Sequence, residues 1–125
     1  MSKNQNPVNW FEIPTTDINR AKTFYEGILG LELSLQDMDG IKMAWFPMHE
    51  NAPGATGSLI QQDSYTPSYA GSLVYFSVED IQAVLQKVEA QGGKILNPKM
   101  SIGEYGFVAH FEDSEGNRVA LHSNQ

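Results

Sequence analysis

Glu12, His110 and His122 are the side chains of this sequence best suited to move a proton. An imidazole titrates near pH 6.5. A carboxylate set between Trp10 and Trp45 would have its pKa raised by desolvation, which suits general acid and base work. Two histidines and a carboxylate are also a set that can grip Zn or Fe(II). Other chemistries find no purchase. Cysteine is absent from the 125 residues, so thiolate nucleophiles and Cys-ligated zinc are excluded. No Ser-His-Asp pattern or dinucleotide fingerprint is present, and Gly54 to Ser58 (GATGS) has no helix after it to make a phosphate loop. Glu12 lies at one end of the chain and both histidines at the other, so the fold must bring them together.

The elements that would do so occur twice. Asp17 and Asp80 stand about half the chain apart. Each comes after an alternating strand, with Phe11 and Ile13 in the first copy and Val74, Phe76 and Val78 in the second. After each Asp comes a helical period: Ile18, Ala21, Phe24, Tyr25, Ile28 and Leu29, then Ile81, Val84, Leu85 and Val88. Each Asp reads as an N-cap, and Gly30 and Gly92 to Gly93 stand where helix ends favour a left-handed residue. Strand material succeeds each helix. LELSLQ, KMAWFPM and GSLIQQ belong to the first half; KIL, FVAHFE and RVALHS belong to the second, with NPKMSIGEYG read as a loop and DSEGN as a turn. The expected fold is α+β: two tandem βαβββ modules, about 8–62 and 72–123 with a connector at 63–71, forming a curved mixed sheet around a central cavity.

Alternation then sorts the side chains. If Phe11, Ile13, Ala44, Phe46, Val74, Phe76, Ala109, Phe111, Val119 and Leu121 lie beneath the helices, the cavity receives Trp10, Glu12, Met43, Trp45, Ser58, Ile60, Leu73, Tyr75, His110, Ala120 and His122. Tyr105 stands at its rim. A DSEGN hairpin symmetrical about Gly116 would set His110 opposite His122. Aromatic rings above a carboxylate suit a planar, cationic organic ligand through stacking and cation–π contact.

Acidic residues outnumber basic ones 15 to 8, a formal charge of −7, which repels phosphate backbones and argues against nucleic acid. The opening MSKNQNP lacks a leader's apolar core and no apolar run is long enough to span a membrane. A soluble, cytoplasmic protein is expected.

The D-I-x-x-A step, FYEGILGLEL (Phe24 to Leu33) and DSEGNRVALH (Asp113 to His122) resemble the vicinal oxygen chelate superfamily of glyoxalase I, bleomycin-resistance proteins and extradiol dioxygenases. The resemblance implies a cavity enclosed by paired modules, and in metal-dependent members His, Gln or Glu ligands on the opening and closing strands. The matching positions here are Trp10, Leu73, Ser58 and Ala120, none of them a competent ligand, with Glu12 and His122 one layer away. The expectation is therefore no metal, no cofactor and a small-molecule ligand in a homodimer. The alternative is a lyase or isomerase related to lactoylglutathione lyase, using relocated ligands or metal-free acid and base chemistry by Glu12, His110 and His122.

Overall fold

Asp17 and Asp80 cap their helices as the spacing predicts. Both are extended, and their carboxylates accept the backbone N–H of Arg20 and Ala83, each at 3.1 Å. Gly30 closes the first helix in the left-handed region at φ 67°. The computed structural model describes residues 5–125; the four before them, the first of the MSKNQNP stretch, lie outside the described residues. The first module comprises β1 (Trp10–Thr15), α1 (Ile18–Leu29), β2 (Ser34–Met38), β3 (Ile41–Trp45) and β4 (Thr56–Gln61). The second comprises β5 (Tyr75–Ser77), α2 (Ile81–Ala90), β6 (Lys94–Ser101), a 3-10 turn (Gly103–Tyr105), β7 (Phe107–Glu112) and β8 (Arg118–Ser123).

Each module makes a four-stranded sheet, ordered β1-β4-β3-β2 and β5-β8-β7-β6. The opening strand runs parallel to the closing one in both, and the other neighbours are antiparallel. The two helices pack on one another and share a single core with the inner faces of both sheets. Ile13, Ala44, Phe46, Leu59, Ala109, Phe111, Val119 and Leu121 are buried there beneath the helical stripes. Phe11 and Phe76 join the modules, their rings 5.7 Å apart, and Phe46 meets Phe76 at 5.3 Å. The opposite sheet faces, with Trp10, Glu12, Met43, Trp45, Ser58, Ile60, Tyr75, His110, Ala120 and His122, take no part in this core.

Three details depart from the sequence reading. NPKMS is strand rather than loop: β6 runs through Pro98 with two register shifts, which an edge strand tolerates because proline's missing N–H faces no neighbour. KMAWFPM ends as strand at Trp45. The β7–β8 hairpin pivots on Glu115, not Gly116, so Glu112 faces Arg118, His110 faces Ala120 and Val108 faces His122.

That hairpin turn also locks the modules together. The Asp113 carboxylate, 2% exposed, accepts the Tyr25 hydroxyl of α1 at 2.6 Å, the N–H groups of Glu115 and Asn117 at 2.9 Å, and the Asn117 amide at 3.0 Å. The Asn117 amide also reaches the Pro14 carbonyl at 2.8 Å. Glu115 caps the start of α1, accepting the N–H groups of Thr16 and Asp17 at 2.9 and 3.0 Å and the Arg20 guanidinium at 2.7 Å.

Candidate functional site

The outward faces are built from rows of side chains set by the register. On the first sheet Glu12 pairs with Ser58 and Ser58 with Trp45. On the second, Tyr75 pairs with Ala120 and Ala120 with His110, and the next row is Ser77, His122 and Val108. Glu12 therefore shares the Ser58 row instead of standing one layer from it. The partner of Ala120 is Tyr75, since β5 begins two residues after Leu73.

Ser58 and Ala120, the small central residues of two of these rows, let larger neighbours close over them. Above Ala120 the Tyr75 and His110 rings meet edge to face, with centroids 6.0 Å apart. On the first sheet the Trp10 and Trp45 rings form a T-shaped pair at 5.8 Å. Met43 and Ile60 are buried at 8% and 3% exposure, both on this face. Ser58 is fully buried, and neither its Oγ nor the buried Trp45 Nε1 has a hydrogen-bond partner among the described residues. A buried donor in that state costs on the order of 1–3 kcal/mol until something bonds it.

The second sheet presents an open cleft of about 600 Å³ lined by Tyr75, Ser77, Met100, Ile102, Val108, His110 and His122. Both imidazoles are held. Arg118 Nε donates to His110 Nδ1 at 3.0 Å while its Nη2 donates to Asn97 at 2.7 Å. Burial, then the adjacent Arg118 charge, pull the His110 imidazole below its ordinary 6.5. His122 Nε2 lies 2.6 Å from the Tyr105 carbonyl. The Tyr105 ring itself is 70% exposed. Tyr69, from the connector, donates its hydroxyl to Glu112 and lies 5.9 Å from the Arg118 guanidinium, ring centroid to carbon. Strand alternation puts Arg118 and Glu112 on the same face as His110, but their pairing with Asn97, His110 and Tyr69 depends on the bulged path of β6 and on how the connector docks.

The cleft thus gathers Tyr75, His110 and His122. The histidines lie diagonally, His110 facing Ala120 and Val108 facing His122, because the hairpin pivots one residue earlier than symmetry about Gly116 would require. Glu12 is on the other sheet, exposed to water, so Trp10 and Trp45 do not enclose it. Among the described residues no three of His, Asp and Glu cluster closely enough to hold a metal ion. None of the described helices is long and apolar enough to cross a membrane.

These features coincide with a match over residues 8–121 to the family model described as Glyoxalase/Bleomycin resistance protein/Dioxygenase superfamily. The chain belongs to that superfamily. It is 30% identical over 121 residues to a glyoxylase-like domain-containing protein of Didymella fabae, with 91% of each chain covered. It is 28% identical over 130 residues to the protein CFP32 of Mycobacterium bovis, matching 94% of this chain but spanning only 45% of that relative's length. A crystal structure of a glyoxylase/bleomycin resistance protein/dioxygenase domain from Frankia sp. EAN1pec superposes with a TM-score of 0.74, at 15% identity, over 98% of this chain and 100% of that one, which speaks to the fold alone.

Proposed function

We propose that this chain is a metal-independent member of the superfamily whose outward sheet faces bind a small planar organic molecule. The carrying observation is the make-up of the positions where metal-dependent relatives would hold an ion. Trp10 offers indole, Leu73 and Ala120 offer hydrocarbon, and Ser58 is a hydroxyl with only weak affinity for a divalent ion. The side chains present do not fit a metal. They fit an organic ring: the Trp10–Trp45 pair supplies apolar faces, while Ser58 Oγ and Trp45 Nε1 are polar atoms a ligand oxygen would satisfy. The formal charge of −7 favours a cationic ring over an anionic one at the first sheet.

The chain works as a homodimer in the cytoplasm, the first-module face of one copy covering the second-module cleft of the other. Exposed Leu35, Met38, Met100 and Ile102, apolar residues on or next to edge strands of the two sheets, support this arrangement. A monomeric mass in sedimentation at micromolar concentration would contradict it.

The planar cation 9-aminoacridine is the probe for ligand binding. It should bind saturably by calorimetry, and Trp10→Ala or Trp45→Ala should weaken it about tenfold, the loss of one stacking or cation–π contact. Absence of saturable binding, or equal affinity in the variants, would overturn the reading.

A second reading, a metal-free lyase or isomerase, draws on one observation: both cleft imidazoles are fixed by hydrogen bonds. In the covered dimer Glu12 of a second copy would join His110 and His122 as the third group.

A further inference from the structure

Each cleft histidine has a partner that dictates which ring nitrogen carries the proton. The Arg118 Nε–H can only donate, so His110 Nδ1 must be the lone-pair nitrogen and Nε2 the protonated one. A backbone carbonyl can only accept, so His122 must place its proton on Nε2, toward Tyr105, and its neutral ring then keeps the lone pair on Nδ1. Each ring is left with one nitrogen that has no partner among the described residues: a donor on His110 and an acceptor on His122. The two are not interchangeable, because neither Arg118 nor the carbonyl can reverse its role.

Their spacing suits one small molecule. His110 and His122 are diagonal neighbours on β7 and β8, a relation that separates positions by roughly 7–8 Å and lets both rings reach a ligand lying between them. The walls are apolar. Tyr75 is 50% exposed and meets His110 at an interplanar angle of 83°, and Met100 and Ile102 are 52% and 38% exposed. A thioether and a phenol ring favour a flat, polarisable partner. Arg118 next to His110 disfavours a cation here, unlike at the first sheet.

We infer that the second-module cleft recognises a neutral planar ring bearing a carbonyl and a ring N–H, a cyclic amide or imide, with the carbonyl taking the His110 Nε2–H and the N–H given to His122 Nδ1. This deepens the small-molecule reading above and rests on it. The cleft would discriminate against rings of the same shape that lack the N–H, since His122 would then lose its partner.

The test uses uracil, which has both groups, and 1,3-dimethyluracil, which keeps the carbonyls and has no N–H. At about pH 8, where an ordinary imidazole is neutral, long-range proton–nitrogen spectra of the labelled protein should show both His110 and His122 protonated on Nε2. Uracil should perturb both rings and bind about tenfold more tightly than its dimethyl derivative, and His122→Phe should erase that difference while leaving the weaker binding in place. Either histidine in the other tautomer, equal affinity for the two compounds, or no binding of either would overturn the inference. The 9-aminoacridine experiment is read through Trp10→Ala and Trp45→Ala and this one through His122→Phe, so failure of one is distinguishable from failure of the other.

Discussion

Asp113→Ala should lower the stability of this protein by about 3–4 kcal/mol in urea denaturation. The carboxylate is buried and gathers four donors: the Tyr25 hydroxyl, two backbone N–H groups and the Asn117 amide. Alanine leaves the fully buried Tyr25 hydroxyl and the turn's own N–H groups without partners, and a buried polar group stripped of its bond costs far more than the bond contributes net. Burial, then the Asp113 charge, already push the Tyr25 phenol well above its usual value, so it remains a proton donor throughout the accessible range. Tyr25→Phe removes the donor but keeps the ring against Phe24 and Phe46, and should lose only about 1–2 kcal/mol. A loss below that for Asp113→Ala would mean the turn does not hold the modules together.

Glu115→Gln should lose about 2 kcal/mol at neutral pH and show a changed acid profile. Burial alone would raise the Glu115 carboxyl, but the hydrogen bonds from Arg20, Thr16, Asp17 and Ser114 overcome it and hold the group at about 2, against an ordinary 4.5. A carboxylate whose folded pKa is depressed contributes stability above its unfolded pKa, and that contribution disappears as pH falls toward the folded value. The window therefore runs from about 4.5 down to about 2. Arg20 is half exposed, so solvent screening limits the pH-dependent part to about 1–2 kcal/mol. Asp113 works in the opposite sense. Burial raises its pKa against its hydrogen bonds, so protonation above the ordinary 3.8 favours the folded state. Denaturation of both proteins from pH 6 to about 2 separates the two: the wild type should converge on Glu115→Gln as acid is added. Parallel curves would show that Glu115 contributes nothing ionic.

Helix starts, faces and module order were legible because each rests on local chemistry. Asp17 and Asp80 reveal themselves by the helical period that begins one residue after each, and the pleat fixes which of Phe11 and Glu12 or Phe76 and Tyr75 turns toward the helices. The pairing of His110 with Ala120 was not legible, because five turn residues admit more than one pivot. Only the capture of the Glu115 and Asn117 N–H groups by Asp113, together with the Asp113 N–H bond to the Asn117 carbonyl, selects the one that forms. Pro98 in β6 defeated a rule that holds for central strands and lapses at edges. The tautomers of His110 and His122 are set by Arg118 and the Tyr105 carbonyl, contacts that no spacing in the sequence discloses.

On the proposed reading, an organic ring occupies the strand positions that would carry an ion in metal-dependent members of the superfamily. Elemental analysis tests it most directly: the protein is incubated with Zn, Ni, Mn or Fe(II), desalted and measured, and 9-aminoacridine binding is repeated after chelation. The prediction is a metal content far below one ion per chain, with affinity for the probe unchanged by the chelator. One tightly held ion per chain, lost in Glu12→Gln or His122→Phe, would contradict it.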